Sequence, residues 1–126
     1  MNQDELKRRT KQFTLRVMNL VDALPRTTTG RAIGGQLVRA GTSVGANYRA
    51  ACRGRSKAEF AAKLGTVAEE ADESCFWLEL IVEGGLLEEG LVKPLLNEAN
   101  ELTAIFTAAA KTSRLSNRQS KIENRK

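Results

Sequence analysis

Residues 56–85 read SKAEFAAKLGTVAEEADESCFWLELIVEGG, and this stretch carries the clearest helix of the chain. Ser56 and Glu59 have the spacing of a capping box, in which a serine oxygen and a glutamate carboxylate satisfy free backbone amides at a helix start. The pair Gly84-Gly85 ends the segment. Between these limits, apolar side chains recur at steps of three and four. That spacing predicts an amphipathic helix with one buried stripe, formed by Phe60, Leu64, Val67, Ala71, Cys75, Leu78 and Val82.

Three further blocks of sequence repeat this spacing. The first block ends before Pro25 because proline disfavours helix at the preceding residue, and the threonines at 27–29 supply N-cap oxygens for the second. A break at residues 53–55 separates the second block from the third. No period-two alternation of useful length competes with helix. The stripes are Leu6, Thr10, Phe13, Val17, Leu20 and Leu24; Ile33, Leu37, Ala40, Val44, Tyr48 and Ala51; and Leu91, Leu95, Ala99, Leu102, Phe106 and Ala109.

Four amphipathic helices with short connections predict an all-α fold, an antiparallel up-down-up-down four-helix bundle over residues 1–113. The apolar periodicity fails after Thr112, so we expect residues 114–126 to form a basic, disordered tail. No apolar run reaches about 18 residues, which argues against a membrane span. The charged start of the chain lacks the apolar segment of a secretion signal, and we therefore expect a cytoplasmic location.

The absence of histidine limits the chemistry of this chain. Without histidine it lacks the commonest general base and the commonest metal ligand, and Ser43, Ser56 and Ser74 have no imidazole to activate them. Cys52 and Cys75 fit neither a zinc cluster nor a disulfide framework, and we expect them to be separate, buried thiols. The sequence therefore predicts no catalytic residue, no metal, no cofactor and no enzymatic activity.

Charge is segregated along the chain. Residues 1–57 hold twelve basic and three acidic residues, with no acid between Asp22 and Glu59. Residues 58–110 reverse the balance with two basic and eleven acidic residues, and residues 111–126 hold six basic residues and one acid. The net charge of +5 thus conceals a bipolar molecule, a property that bears on partners and assembly rather than on fold.

The predicted second helix carries two stripes besides its core stripe. At about 100° per residue, its arginines lie opposite the core, and a stripe of small residues lies between the two. An interior glycine costs about 1 kcal/mol relative to alanine, so the aligned glycines indicate close approach of another backbone. That backbone belongs to the same monomer, to a neighbouring subunit or to a nucleic acid. The small stripe is Gly34, Val38, Gly41 and Gly45, and the arginine stripe is Arg31, Arg39, Arg49 and Arg53.

The arginine stripe has three interpretations. It is a solvated face, it contacts phosphates, or it meets an acidic face on another subunit. Basic and acidic surfaces on different sides of one chain suit head-to-tail association, which closes into a ring when the rotation permits. The acidic face would consist of Glu69, Glu70, Asp72, Glu73 and Glu79.

Several short motifs follow one another in the middle of the chain: Gln36-Leu37-Val38-Arg39-Ala40, Ser43-Val44-Gly45-Ala46-Asn47, the basic turn Arg53-Gly54-Arg55, Ser56-Lys57-Ala58-Glu59-Phe60, and Trp77-Leu78-Glu79-Leu80. Through them, residues 10–110 resemble the bacterial four-helix-bundle proteins encoded in intervening sequences of 23S ribosomal RNA genes. The resemblance implies an antiparallel bundle that assembles into a ring of five. The accessory variability protein of diversity-generating retroelements is similar in build, which implies a nucleic-acid ligand and a protein partner such as a reverse transcriptase.

We therefore expect a non-enzymatic, ring-forming bundle that binds structured RNA or DNA with little sequence specificity. The alternative is a protein–protein adaptor whose arginine face serves oligomer assembly or an acidic protein partner. The basic tail is expected to assist by electrostatic attraction. We predict that nucleic acid is bound by Arg39, Arg49, Arg53, Arg55 and Lys57. We predict that the subunit interface contains Gly34, Val38, Gly41, Gly45, Glu69 and Glu73.

Overall fold

Four α-helices make up the computed structural model, which describes residues 1–124. They are α1 (Gln3–Asp22), α2 (Thr28–Cys52), α3 (Lys57–Glu83) and α4 (Glu89–Asn124), and no strand occurs within those residues. Each helix packs against the next one along the chain, and α4 closes the bundle against α1. The prediction of an all-α, up-down four-helix bundle is confirmed.

Two of the predicted helix starts are present. Thr27 Oγ1 accepts a hydrogen bond from the Gly30 N–H at 3.0 Å and begins α2, and Ser56 Oγ accepts one from the Glu59 N–H at 3.1 Å and begins α3. The prediction of the second capping-box hydrogen bond, from the Ser56 N–H to the Glu59 carboxylate, is wrong. The Glu59 carboxylate accepts from the backbone N–H of Arg55 at 3.4 Å, one residue before the cap, instead of from Ser56. It still satisfies an amide that the helix leaves free.

The core contains the predicted stripes with a shift in α4. Leu91 is 65% exposed, and Val92 is buried in its place. At the other end of the stripe, Ala110 is buried where Ala109 was expected. Leu91 and Val92 lie four and three residues before Leu95, and either spacing puts a residue on the same side of the helix as Leu95. The sequence pattern alone therefore does not choose between them. The largest fully buried side chains include Phe13, Leu37, Leu78, Ile81, Leu102 and Phe106.

Helix α4 continues well past the bundle. Its last buried residue is Ala110, yet the helix runs to Asn124, so the disordered tail expected from residue 114 is helical as far as that residue. The apolar periodicity stops because the half-buried side of this segment carries the polar residues Ser113, Asn117 and Ser120 instead of an apolar stripe, whereas helix propensity continues. Lys57 Nζ donates to Ser120 Oγ at 2.8 Å and joins this segment to the start of α3. We call residues 111–124 the α4 extension; residues 125–126 of the predicted tail lie outside the described part.

The antiparallel topology gathers the basic segments at one end of the bundle. This basic end comprises residues 1–12, 41–70 and 107–124, which hold thirteen basic and six acidic residues. The remaining described residues, 13–40 and 71–106, hold five basic and nine acidic residues. The segregation along the sequence therefore becomes a segregation along the bundle axis, and the basic end presents a field that attracts anions.

Candidate nucleic-acid interface

A surface groove runs between the first half of α1 and the second half of α2, at the basic end. Its volume is about 480 Å³, and we call it the α1–α2 groove. Four cations line it, with Lys7, Arg8 and Lys11 on α1 and Arg49 on α2. The lysines at 7 and 11 are one helical turn apart and share a face. No acidic side chain lines the groove, so it is an anion-attracting surface built from two helices.

The glycine stripe explains why the two helices lie so close together. A Cβ added to Gly41 would lie 2.9 Å from both γ-carbons of Val17 on α1, and one added to Gly34 would lie 3.1 Å from a Leu24 methyl group. Gly45 lines the groove, where an added Cβ would meet the backbone of Thr10 at 3.6 Å. All three glycines are buried within the monomer. They serve the packing of α1 on α2 within the monomer.

Threonines make the walls of the groove polar but offer a ligand no hydrogen-bond donor. Thr10 Oγ1 donates to the Leu6 carbonyl at 2.8 Å, and Thr14 Oγ1 donates to the Thr10 carbonyl at 3.0 Å. Thr42 Oγ1 donates to the Arg39 carbonyl at 3.2 Å. Because these hydroxyl protons are engaged by backbone oxygens, the hydrogen-bond donors left for a ligand are the ammonium and guanidinium groups.

The four groove cations have no carboxylate partner. In the described part of the chain, no Asp or Glu oxygen lies within 4.0 Å of Lys7, Arg8, Lys11 or Arg49. A cation that is already paired must give up that contact to bind a phosphate, whereas these four need not. Their charge is therefore available to an anionic ligand.

Arg39 behaves differently from the other predicted nucleic-acid-binding residues. Its guanidinium forms ion pairs with Glu70 at 3.4 Å and with Glu73, both on α3. Trp77 Nε1 also donates to the Glu73 carboxylate, at 2.9 Å. Arg39 thus lies in a charge cluster between α2 and α3 and away from the α1–α2 groove. The sequence pattern placed Arg39 in the arginine stripe of α2, but it contained no information on the carboxylates of α3 that pack beside that stripe.

The other predicted cations extend the groove toward one end of the bundle. Arg53 follows Arg49 by one turn and caps the end of α2, and Arg55 lies in the connection to α3. Both are exposed, as is Lys57 at the first residue of α3. The structure thus arranges Arg49, Arg53, Arg55 and Lys57 in sequence at the basic end. It also places Lys7, Arg8 and Lys11 there, which the sequence analysis missed.

A detectable signal for the missed cations was present in α1. Lys7, Arg8 and Lys11 lie at spacings of one, three and four, away from the core positions Leu6 and Thr10. Our sequence analysis resolved the faces of the second helix only. Even with α1 resolved in the same way, the rotation of α1 relative to α2 decides whether the two sets of cations meet, and packing sets that rotation.

The predicted interface residues divide into internal and surface positions. Glu73 is engaged by Arg39 and Trp77 within the chain. Glu69 is exposed, and Val38 is half-buried beside the arginine stripe. Glu69 and Val38 therefore remain accessible to a second chain, whereas the three glycines are buried in the packing of α2 on α1, and their place in a subunit interface stays a prediction.

A bidentate ion pair fastens α1 to α4, on the side of α1 away from the groove. Arg9 Nε and Nη2 donate to the two Glu98 oxygens at 2.8 Å each, and Nη2 also donates to Glu101 at 2.7 Å. Hydrogen bonding to Glu98 raises the pKa of Arg9, and hydrogen bonding from Arg9 lowers the pKa of Glu98 below its ordinary 4.5. Arg9 therefore has a structural role, although it is adjacent in sequence to Arg8.

Comparison with known proteins places this bundle. The model of the family described as 23S rRNA-intervening sequence protein matches residues 3–108. The chain belongs to this family. All four groove cations fall within the matched residues of the 23S rRNA-intervening sequence family, and the whole α4 extension lies beyond them.

A solved structure supports the same placement. The bundle is similar to the crystal structure of a protein with unknown function from the S23 ribosomal protein family of Bacteroides thetaiotaomicron, with a TM-score of 0.80 and 29% identity. The similarity covers 88% of this chain and 99% of the other. No curated protein matches the chain. The 23S rRNA-intervening sequence family membership and the fold thus rest on independent comparisons of sequence and structure.

The described residues contain no group of three or more Cys, Asp or Glu placed to hold a metal ion. None of the described helices combines the length and apolar character needed to cross a membrane. Cys75 is buried and Cys52 half-buried, and both thiols are free. Burial raises the pKa of Cys75 and also that of Tyr48, which keeps both groups neutral at physiological pH.

Proposed function

We propose that this protein is a non-enzymatic, ring-forming helical bundle that binds nucleic acid through the α1–α2 groove. The observation that carries the proposal is the set of four cations without acidic partners around a groove without acidic lining. Phosphate neutralisation and the release of counterions would supply the binding free energy. The ring number of five follows from family resemblance.

The ligand is proposed to be recognised by its backbone and not by its bases. Contacts to phosphates position a nucleic acid but carry no direct sequence information. The residues around the groove include no aromatic side chain on which a base could stack. Structured RNA, the ligand class expected from the sequence, is the first ligand to test. We therefore expect similar affinities for hairpins of unrelated sequence.

The remaining cations of the basic end would strengthen this binding. Arg53, Arg55 and Lys57 continue from the groove toward the α4 extension, and all three are exposed. In a ring, each subunit would present the same groove, and simultaneous engagement of several grooves would add avidity. A single groove then needs only modest affinity for the assembly to hold RNA firmly.

The test is the salt dependence of binding to a structured RNA hairpin, measured by fluorescence anisotropy between about 50 and 200 mM salt. Lys11→Gln and Arg49→Gln remove one cation from each wall of the groove. Each is expected to weaken binding and to reduce the slope of log K against log salt by about 0.9. The double variant should reduce the slope by about 1.8.

Two control variants make this test specific. Lys93→Gln changes the net charge equally at an exposed position near the start of α4, and it should leave the affinity nearly unchanged. Arg39→Gln removes an arginine of the same helix that is already paired with Glu70 and Glu73, and it should have a small effect. Equal losses in all four single variants would show that only net charge matters. Absence of binding at the lowest salt would contradict the proposal.

A protein–protein adaptor is the second candidate function. The exposed aromatic ring of Phe76, which packs edge-on against Trp77 at 5.0 Å, favours it because neither ring contacts the groove. If groove substitutions leave RNA affinity unchanged but lower the mass measured by light scattering, the groove cations serve assembly and the adaptor function is supported.

A further inference from the structure

The outer face of α3 carries an exposed aromatic ring surrounded by carboxylates. Phe76 is 51% exposed, and four exposed acids lie within about 80° of arc around it at about 100° per residue. None of the four has a basic partner within 4.0 Å in the described part of the chain. We call this surface the α3 acidic face; it consists of Glu69, Asp72, Phe76, Glu79 and Glu83.

The α4 extension has the opposite character. Leu115 and Ile122 are 55% and 52% exposed and lie seven residues apart, on one side of the helix. Four exposed cations cover the adjacent arc of about 80°. They are Lys111, Arg114, Arg118 and Lys121, and the described structure gives none of them an acidic partner. The extension is an amphipathic, basic helix with nothing packed on its apolar side.

These two surfaces match in length and in charge. The α3 acidic face covers fifteen residues, whose fourteen steps of 1.5 Å span about 21 Å, and the stripe from Lys111 to Ile122 spans about 16 Å. The acidic face combines one exposed apolar side chain with four acids, and the extension combines two exposed apolar side chains with four cations. Burying Phe76 against Leu115 and Ile122 would remove three large apolar side chains from water.

The extension does not carry its apolar side to Phe76 of its own chain, because Leu115 and Ile122 lie about 180° around the helix from the half-buried Ser113 and Ser120. The hydrogen bond from Lys57 to Ser120 holds it beside the first residue of α3. Phe76 lies nineteen residues farther along α3, about 28 Å away along the helix axis. A second copy of this chain, in contrast, offers the complementary surface without any change in the bundle.

We propose that the α4 extension of one copy docks on the α3 acidic face of the next. The contact is head-to-tail, because each copy contributes a different surface to each of its two neighbours, and such contacts close into a ring when the rotation permits. The inference rests on the ring-forming part of the proposed function and names its interface. The matched family residues end at 108, so this contact depends on a segment beyond the family match.

Charge reversal in the full-length chain tests the contact. Arg118→Glu and Glu79→Arg are both exposed substitutions, and each should raise the dissociation constant for self-association at least tenfold in sedimentation velocity. The double variant, which restores opposite charges across the contact, should recover much of the affinity. Lys93→Glu is the matched control and should leave self-association unchanged. Circular dichroism at 222 nm confirms that each variant keeps its helices.

Mixing two variants tests the head-to-tail arrangement. One chain carries Phe76→Ala with Glu79→Arg, so its face is damaged, and the other carries Leu115→Gln with Arg118→Gln, so its extension is damaged and has no acid that could pair with the new arginine. Alone, each should be monomeric. Together they retain one intact face and one intact extension, and the mixture should therefore stop at dimers. Larger assemblies from the mixture, or none, would overturn the docking geometry.

The outcomes separate this inference from the rest of the proposed function. If the wild-type chain is multimeric and these variants keep its mass, the docking is overturned and the ring stands on another interface. If the wild-type chain is monomeric at every concentration, both the docking and the ring are overturned. If the extension variants keep the mass but lose affinity for the RNA hairpin, the extension serves the nucleic acid and the docking is overturned. Loss of mass with unchanged RNA affinity per subunit supports the docking.

Discussion

Replacing Gly41 by alanine probes the contact that brings α1 and α2 together. The added Cβ would lie 2.9 Å from both γ-carbons of Val17, which is fully buried. Valine is stiff at χ1 because of its branched Cβ, so it does not rotate away at low cost. Gly35 provides the matched control: it is on the same helix, it is exposed, and its added Cβ would meet nothing within 4 Å.

The two substitutions share one effect and differ in the other. Alanine improves on glycine in a helix interior by about 1 kcal/mol, and this gain applies at both positions. At position 41 the additional methyl group overpacks the seam, at a cost of about 1–3 kcal/mol. We therefore expect Gly35→Ala to stabilise the protein by about 1 kcal/mol. Gly41→Ala should be less stable than Gly35→Ala by about 1–3 kcal/mol, since only the overpacking differs.

Thermal and urea unfolding of the variants measure this difference, and a second background identifies its cause. A difference of 1 kcal/mol corresponds to roughly 4 °C in Tm for a domain of this size. Val17→Ala removes the two γ-carbons and leaves only the Cβ contact at 3.2 Å, so in that background Gly41→Ala should lose most of its overpacking cost and move toward the gain of about 1 kcal/mol expected for Gly35→Ala. If Gly41→Ala stabilises the wild-type chain as much as Gly35→Ala, the seam does not set the helix distance. The glycine stripe would then again be a candidate for an interface between subunits.

Three further predictions concern the ion pair, the core and the thiols. The pKa of Glu98 is lowered in the folded state, so the stability that its carboxylate confers is present above its ordinary pKa of 4.5 and is lost as the pH falls through the folded-state value. Glu98→Gln should therefore lower the free energy of unfolding by about 1 kcal/mol in urea at pH 7, and the difference between variant and wild type should disappear in acid. Phe106→Ala removes a fully buried ring and should cost about 3–5 kcal/mol in urea unfolding; a smaller loss would indicate that the core collapses around the site. Cys75, buried and with its pKa raised, should react with a thiol reagent at pH 8 much more slowly than Cys52, and equal rates would contradict its burial.

Much of the fold could be predicted from helix caps and apolar spacing, which are local features of the sequence. The caps at Thr27 and Ser56 and the stripe from Leu37 to Ala51 depend only on residues within a turn or two of one another. The burial of Val92 in place of Leu91 could not be predicted from such rules, because both residues fit a helical period of 3.6. The helical structure of the α4 extension could not be predicted for another reason, because apolar periodicity indicates where a helix packs and not whether a helix forms.

The candidate site was predictable only in part, because it belongs to two helices. The position of Arg49 on the exposed side of α2 follows from its sequence spacing. Its approach to Lys7 and Lys11 depends on how α1 is rotated against α2, which the contact of Gly41 with Val17 helps to set. These relations are between helices, and no pattern within one helix contains them.

Segregated charge along a chain does not by itself segregate charge in space, since an antiparallel bundle brings distant segments side by side. Where opposite charges on adjacent helices face each other they form ion pairs, as Arg39 does with Glu70 and Glu73 and Arg9 does with Glu98 and Glu101. Where the neighbouring charges share one sign, as in the α1–α2 groove and on the α3 acidic face, they are not neutralised within the described part of the chain. The bundle therefore leaves two charged surfaces without an internal partner, one basic and one acidic. A phosphate backbone satisfies only the first of these surfaces, whereas a second copy of the chain satisfies the second, and this difference is why the groove and the α4 extension are assigned different partners.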